Sequence, residues 1–381
     1  MEDALVKKFL ALYEKEPLLV SAPGRVNLIG EHTDYNNGFV LPGAVSKRIL
    51  FAMAKNDTEE IRVHANQYGE SFRFPLHSDR SHEKGWINYL VGMTHYIQQN
   101  GKKAGGVDVL IDGDIPVGAG MSSSAALTSG YGFGMNELFH LGMSRMDLAF
   151  AGQKTEHHFV GVQCGIMDQF ASLHGKKNHV VKLDCRSLEF EYIPFQFPAY
   201  FVVLVNTMVS HSLEGSEYNV RRQQCEEGIT LLKKKFPQIT SLRDVSAEML
   251  EKNRADLPPL VFKRCHFIIH EIQRLLAGCS MLKAGNLEAF GELMYATHEG
   301  LSKEYEVSCP ESDFLVEITK KMKSVAGARQ MGGGFGGCTI NLVRADGLEQ
   351  FGNDIQAAYK STWGIIPEIY ITQLENGVGL I

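Results

Sequence analysis

Pro116-Val-Gly-Ala-Gly-Met-Ser-Ser-Ser-Ala-Ala126 follows the strand-like run Val107 to Ile111 and opens a helical pattern from about Ser123 to His140. A strand, a glycine turn and a helix start in that order make a place where an anion is easily held. Gly118 and Gly120 let the backbone take positive φ and approach a ligand closely, and the helix start offers unpaired N–H groups and the positive end of its dipole. Ser122, Ser123 and Ser124 add hydroxyls for phosphate or metal. A glycine turn with a serine N-cap would give part of this pattern, but three consecutive serines exceed what capping needs. The loop is not a Walker A motif, since neither Gly101-Lys102 nor Gly175-Lys176 is followed by Ser or Thr, and the H-R-D and D-F-G elements of protein kinases are absent. A nucleotide held here is held by a different design.

Upstream, Leu18 to Ala22, Ile49 to Ala54 and Ile61 to His64 read as short strands between Gly, Asn and Asp turn signals. Downstream, a second helical pattern runs from about Ser144 to Phe159, and strands return at His179 to Leu183 and Tyr200 to Val205. Longer helical patterns then take over at Glu217 to Lys234, Val261 to Ala277, Leu287 to Thr297 and Glu311 to Lys323, and two late strands, Cys338 to Val343 and Glu368 to Thr372, flank another helix. This segregation predicts an α+β protein rather than a regular βαβ repeat. With 381 residues, 44% of them hydrophobic and only 22% charged, the chain exceeds what one core usually serves. Two domains are expected, 1–200 and 201–381.

The net charge of −6 is spread without long like-charge blocks, so no general field draws the chain to nucleic acid or to an anionic membrane. Met1 to Pro17 mixes Glu, Asp and Lys with apolar residues and has no continuous apolar run. It reads as an amphipathic surface helix, neither signal peptide nor membrane span. Seven cysteines, an odd number with no C-x-x-C pair, argue against a disulfide framework and a zinc ribbon. A cytoplasmic monomer is the expectation.

A second stretch, Ala22-Pro-Gly-Arg-Val-Asn-Leu-Ile-Gly-Glu-His-Thr-Asp-Tyr-Asn-Asn-Gly38, gathers Arg25, Glu31, His32 and Asp34. A sugar is recognised by many directed hydrogen bonds, and carboxylates accept from hydroxyls better than neutral groups do. Asn36-Asn37-Gly38 alone reads as a polar turn, but Val26, Leu28 and Ile29 anchor the longer stretch to a core. Further on, Gln163-Cys-Gly-Ile-Met-Asp-Gln-Phe170 carries Asp168. By itself Asp168 reads as the cap of a helix beginning at Gln169; a held carboxylate can equally take or orient the proton of an attacking hydroxyl. Gln153-Lys-Thr-Glu-His-His-Phe159 places Glu156 at the end of a helical pattern. The adjacent His157 and His158 point in different directions there and do not make a chelating pair. Gly332, Gly334 and Gly337 formally satisfy G-x-G-x-x-G, but that fingerprint follows a strand and opens a helix, whereas this run precedes the strand-like Cys338 to Val343.

Gly24-Arg-Val-Asn-Leu-Ile-Gly-Glu-His-Thr-Asp-Tyr-Asn36 resembles the galactokinase signature, and Pro116 to Ala126 resembles the ATP-binding motif of the wider superfamily of galactokinase, homoserine kinase, mevalonate kinase and phosphomevalonate kinase. Gly332-Gly-Gly-Phe-Gly-Gly-Cys338 matches a third motif in the expected order, so the resemblance spans nearly the whole chain. It implies a two-domain small-molecule kinase fold, with an N-terminal domain like domain 2 of ribosomal protein S-five, a ferredoxin-like C-terminal domain, and the active site between them. It further implies transfer of the ATP γ-phosphoryl to the C1 hydroxyl of α-D-galactose. In that reading Asp168 is the catalytic carboxylate, kept ionised by Arg25 beside it. Glu31, His32, Asp34, Tyr218 and the backbone at Gly165 surround the sugar. Gly118, Gly120 and the three serines surround the ATP phosphates, and Ser124 with Glu156 holds a magnesium ion, for which oxygen ligands are apt. The glycine run lets the second domain close over the substrates.

Two departures from the family pattern stand out. Arg329-Gln-Met331 replaces the usual Arg-Met-Thr, removing a hydroxyl near the phosphates, and Met121 replaces Leu, a volume-conserving exchange. The resemblance also admits a kinase of the same family acting on N-acetylgalactosamine, arabinose or galacturonate, or a non-catalytic sensor of galactose and ATP. Intact Glu31-His-Thr-Asp34 favours galactose, two carboxylates would repel galacturonate, and the joint presence of Arg25, Asp168, Glu156 and the serines favours catalysis.

Overall fold

The computed structural model describes residues 2–79, 85–116, 118–210 and 214–381. In chain order its first half comprises α1 (Glu2–Tyr13), β1 (Leu18–Asn27), β2 (Phe39–Val40), β3 (Pro42–Lys55), β4 (Glu60–Ala65), β5 (Glu70–Pro75), α2 (Asn88–Gln99), β6 (Val107–Gly113), α3 (Ser123–Phe139), α4 (Arg145–Thr155), α5 (Met167–His174), β7 (His179–Asp184) and β8 (Phe190–Pro194). The remainder comprises β9 (Tyr200–Ser210), α6 (Glu214–Lys233), α7 (Ala247–Lys252), α8 (Pro259–Lys283), α9 (Leu287–Lys303), α10 (Pro310–Thr319), β10 (Val325–Gln330), β11 (Gly336–Arg344), α11 (Leu348–Trp363), β12 (Glu368–Thr372) and β13 (Gly379–Leu380).

Strand β3 shows why the first layer forms. Successive side chains of a strand point to opposite faces, and here Leu50, Ala52 and Ala54 meet Leu5 and Phe9 of α1, while Phe51 and Met53 face α3. Gly130 and Gly134 let α3 lie close: a Cβ at Gly130 would stand 2.2 Å from the Phe51 ring, and one at Gly134 2.3 Å from the Met53 sulfur. The resulting six-stranded sheet has the order β13-β1-β3-β6-β4-β5, with a three-stranded sheet β2-β7-β8 beside it.

The second half builds a four-stranded antiparallel sheet in the order β10-β11-β9-β12. Its strand and helix sequence follows the βαββαβ ferredoxin-like pattern. Val203 and Val205 of β9 pack with Phe351, Ile355 and Tyr359 of α11. Val202 and Leu204, on the opposite face, join a core that continues into the first half. The chain is thus the expected α+β protein.

Several local expectations need correction. The helical pattern to Phe159 stops as an α-helix at Thr155, and Glu156–Val160 form a π turn. The helix expected to Lys323 ends at Thr319, because Met322 to Val325 turns the chain into β10. β2, β5, β8, β10, β13, α2 and α7 have no counterpart among the runs read from the sequence. The glycine run does precede a strand, β11. Among the described residues no helix is long and apolar enough to cross a membrane.

Candidate active site

One cleft of about 610 Å³ is lined by residues from the β1 end, the loop that follows it, the serine loop, the stretch between α4 and α5, the start of α6 and the glycine run. Arg25 reaches it because the β1–β3 register shifts between Pro23 and Arg25. A bulge of this kind re-aims a side chain, and Gly24 allows it, since a Cβ there would lie 2.7 Å from the Met121 carbonyl oxygen. That carbonyl accepts from the Arg25 amide at 3.0 Å. Sheet and serine loop are thereby stitched together.

The Arg25 guanidinium grips Asp168 in fork geometry, Nε to Oδ1 and Nη2 to Oδ2, both at 2.7 Å, and also donates to the Gly120 carbonyl. Burial opposes the Arg25 charge, but Asp168 more than restores it, helped by Glu31 and Glu156, so the guanidinium pKa lies above its ordinary value. Asp168 does not cap its helix. α5 starts at Met167, two residues earlier than expected, its N-cap Ile166 offers no side-chain bond, and the carboxylate turns to Arg25 instead. Ser122, held at φ 52°, donates its hydroxyl to Asp168 Oδ2 rather than capping α3. The Asp168 side chain keeps a quarter of its surface open, 25%, enough for a substrate hydroxyl to reach it.

Glu156 opens the π turn, a distortion common at functional sites. It accepts from Gln169 Nε2 at 2.9 Å and shares hydrogen bonds with Ser124 and Cys164. Burial, and then the charge of Asp168, push its pKa up to about 7. Ser124 also bonds Tyr89. His157 does not join this group: its Nε2 lies 2.8 Å from the Cys164 carbonyl oxygen, and its ring stands at 70° to that of His158. Among the described residues no three His, Cys, Asp or Glu side chains form a ready metal cage.

At the other end of the cleft Glu31 Oε1 accepts from Arg329 Nη2 at 2.9 Å and from the Gly332 amide at 3.0 Å. His32 lies between Tyr35, Tyr218 and Tyr305. Asp34 sits against Gly165, where a Cβ would fall 1.7 Å from Oδ2. The structure therefore brings Asp168, Arg25, Glu31, His32, Asp34, Gly165, Tyr218, Gly118, Gly120, Ser122, Ser123, Ser124 and Glu156 to one cleft. Met331, in place of a threonine, is 2% exposed and packs at 3.5 Å from the Cβ position of Gly120.

Sequence reasoning missed three contributors. Arg329 was noted only for its neighbours, yet it is fully buried and donates to the carbonyls of Leu28 and Asn27 as well as to Glu31. Glu271, from α8, accepts from the Gly30 amide at 2.8 Å. A smaller apolar pocket of about 200 Å³, lined by Trp86, Tyr89, Ile115 and Leu127, adjoins Ser123 and Ser124. Trp86 is one of only two tryptophans in the chain, the single hint the sequence offered.

The family model for the galactokinase galactose-binding signature matches residues 7–55, that for the GHMP kinases N terminal domain residues 88–176, and that for the GHMP kinases C terminal domain residues 279–361. Galactokinase of Roseiflexus sp. (strain RS-1) is 37% identical over 378 residues, covering 99% of this chain and 96% of the relative. Galactokinase of Thermosipho africanus is 38% identical over 359 residues, covering 94% and 98%. The crystal structure of Lactococcus lactis galactokinase complexed with galactose superposes with a TM-score of 0.94 at 33% identity over 100% of both chains. A mevalonate kinase shares the fold alone, at TM-score 0.65 and 20% identity, over 94% of this chain and 99% of its own. Identity of 37–38% to galactokinases over nearly the whole chain, together with the galactose-binding signature over residues 7–55, shows that the chain belongs to the galactokinase family.

Proposed function

We propose that the cleft transfers the γ-phosphoryl of ATP to the C1 hydroxyl of α-D-galactose, with Asp168 as general base. The observation that carries this reading is the placement of the Arg25–Asp168 pair between a loop rich in hydrogen-bonding side chains and a serine loop at a helix start. A sugar bound by Glu31, His32, Asp34, Tyr218 and the backbone at Gly165 presents its hydroxyl to Asp168, which takes the proton as the oxygen attacks. Arg25 orients the carboxylate beforehand through its fork of hydrogen bonds and faces the charge that develops on the transferred group. Positioning supplies most of the rest.

The ATP phosphates fall to Gly118, Gly120, the amides at Ser122 to Ser124 and the hydroxyls of Ser123 and Ser124, where α3 begins. The adjoining apolar pocket with Trp86 and Tyr89 suits the base. Magnesium fits this end: a buried carboxylate held near neutrality beside a second carboxylate, with a serine hydroxyl bonded to it, is an oxygen donor set that a divalent cation relieves of its repulsion. Ser124 and Glu156 would hold the ion, which keeps further sites for waters and phosphate oxygens and neutralises phosphate charge when bound. The two units that close on the substrates are residues 1–200, completed by the returning strand β13, and the rest of 201–381, in a monomer of the cytoplasm, a setting that seven free thiols support.

The test is ATP turnover across galactose, N-acetylgalactosamine, arabinose and galacturonate, in native protein and in Asp168→Asn. Galactose should be the preferred acceptor, and Asp168→Asn should lower kcat by roughly 10²–10⁴-fold with its thermal unfolding intact. Near-normal kcat in a folded Asp168→Asn protein refutes the base, and galactose binding without any turnover refutes the kinase.

A further inference from the structure

His32 lies in the left-handed region, φ 62°, with both ring nitrogens engaged. Nδ1 is 2.7 Å from the Tyr35 hydroxyl, and Nε2 is 3.2 Å from the Gly333 carbonyl oxygen. Behind Tyr35 the contacts continue: its Oη is 2.8 Å from that of Tyr305, and Tyr305 Oη is 3.3 Å from Cys225 Sγ. Cys225 in turn shares a hydrogen bond with the Asn36 side chain, whose Nδ2 donates to the His32 carbonyl at 2.9 Å. The series closes on the loop from which it started. Tyr305 and Cys225 are at most 1% exposed, and Arg221 fixes the Tyr305 backbone by donating to its carbonyl at 2.8 Å.

The hydrogens in this series have one consistent arrangement. A carbonyl oxygen only accepts, so the nitrogen facing Gly333 carries the hydrogen. Burial holds the imidazole neutral at ordinary pH, and a neutral ring has one bare nitrogen. Nδ1 therefore accepts from Tyr35, whose oxygen then accepts from Tyr305, whose oxygen accepts from the Cys225 thiol. The reverse order would set the Nε2 lone pair against the Gly333 oxygen. Donation running one way through a buried series strengthens each member.

We propose that Tyr35 and Tyr305 are positioning residues that lock His32 in the Nε2–H tautomer, so that the imidazole meets the sugar as a hydrogen-bond donor and never as an acceptor. This rests on the reading of His32 as a sugar ligand. The bond from Nε2 to Gly333 is long for an N–H···O contact, which leaves its hydrogen open to a sugar oxygen entering the cleft. The subsite then selects an oxygen that can accept, contributed with a residue, Tyr305, that lies far along the chain from the sugar loop.

Selective ¹⁵N-histidine labelling reads the tautomer without any sugar, with the His32 resonances assigned by their loss in His32→Asn. The native protein should show a neutral ring protonated at Nε2 with Nδ1 bare. Tyr35→Phe, which keeps the ring and removes the donor, should move both nitrogens part of the way toward the averaged pattern of mixed tautomers, since only the Gly333 carbonyl then favours Nε2–H, and Tyr305→Phe should move them less. The galactose KM should rise roughly three- to tenfold in Tyr35→Phe, as expected for one lost hydrogen bond, with kcat little changed. A native His32 protonated at Nδ1, or an unchanged pattern in Tyr35→Phe, overturns the lock; the native spectrum decides by itself if the variants fail to fold. A lock lost in Tyr35→Phe with an unchanged galactose KM upholds the lock and removes His32 from the sugar site.

Discussion

Asp34 carries the clearest pH signature of any single residue here. Burial first, then the charges of Asp168 and Glu31, push its pKa from 3.8 up to about 6, against the bond it accepts from the Tyr35 amide. A raised carboxyl pKa contributes stability that is complete below 3.8 and lost as the pH climbs through about 6. The unfolding free energy of the native protein, measured relative to Asp34→Asn, should therefore fall across that window and level off above it. Sugar binding has the opposite sense, because the ionised carboxylate is the better acceptor for hydroxyls. Galactose KM should rise in the native protein as the pH drops below about 6, and Asp34→Asn should have a high KM without that limb; a pH-independent native KM would remove Asp34 from the contact. His32 runs the other way in stability: burial pulls its pKa from 6.5 down to about 4, so its share is complete above 6.5 and lost as the pH falls through about 4. The polar character of these two residues was legible in the sequence. Their pKa values were not, since they depend on Gly165 and Gly333 arriving from distant segments.

At the level of elements, α8 supports the loop that follows β1 through one side chain. Glu271 is wholly buried and accepts from the Gly30 amide, from Thr297 Oγ1 at 3.0 Å and from Arg274. Glu271→Ala leaves a buried amide and a cation without partners, a loss of about 1–3 kcal/mol each for groups of this kind. Thermal unfolding should shift down and galactose KM should rise while kcat changes little; an unshifted KM would show that the loop holds its shape without α8. No periodicity could have announced this, because a glutamate on a long helix reads as solvated until its partners are known. The same reasoning explains Asp168. Its position two residues before Phe170 looked like a cap, and only Arg25, brought alongside by a bulge in β1, draws the carboxylate elsewhere. The serine loop, by contrast, was legible because its glycines and serines act through local backbone geometry, although Ser122 turned to Asp168 and not to the phosphate side.

Across the whole molecule, Arg329 ties β10 of the second half to the β1 end and the loop that follows it in the first. With side-chain exposures of 0% and 4%, Arg329 and Glu31 form a fully buried pair, and removing one partner of such a pair typically costs about 3–5 kcal/mol. Arg329→Met should lower stability by that amount in denaturant titrations and reduce kcat/KM for galactose, since Glu31 loses its anchor; a change under about 1 kcal/mol would mean that the pair is not a strap between the halves. The α+β class followed from the segregation of strand-like and helix-like runs, but how the halves interlock did not, because it is set by single buried side chains. The tail interlocks too. The carbonyl of Ala44 receives the Glu375 amide, and β13 pairs Leu380 with Val20 on the strand that carries Arg25. During synthesis, then, the first sheet emerges from the ribosome with one border bare and gains its last strand only when residues 379 and 380 appear. Until that moment the β1 edge has no partner, and an open strand edge is a template for pairing with another chain.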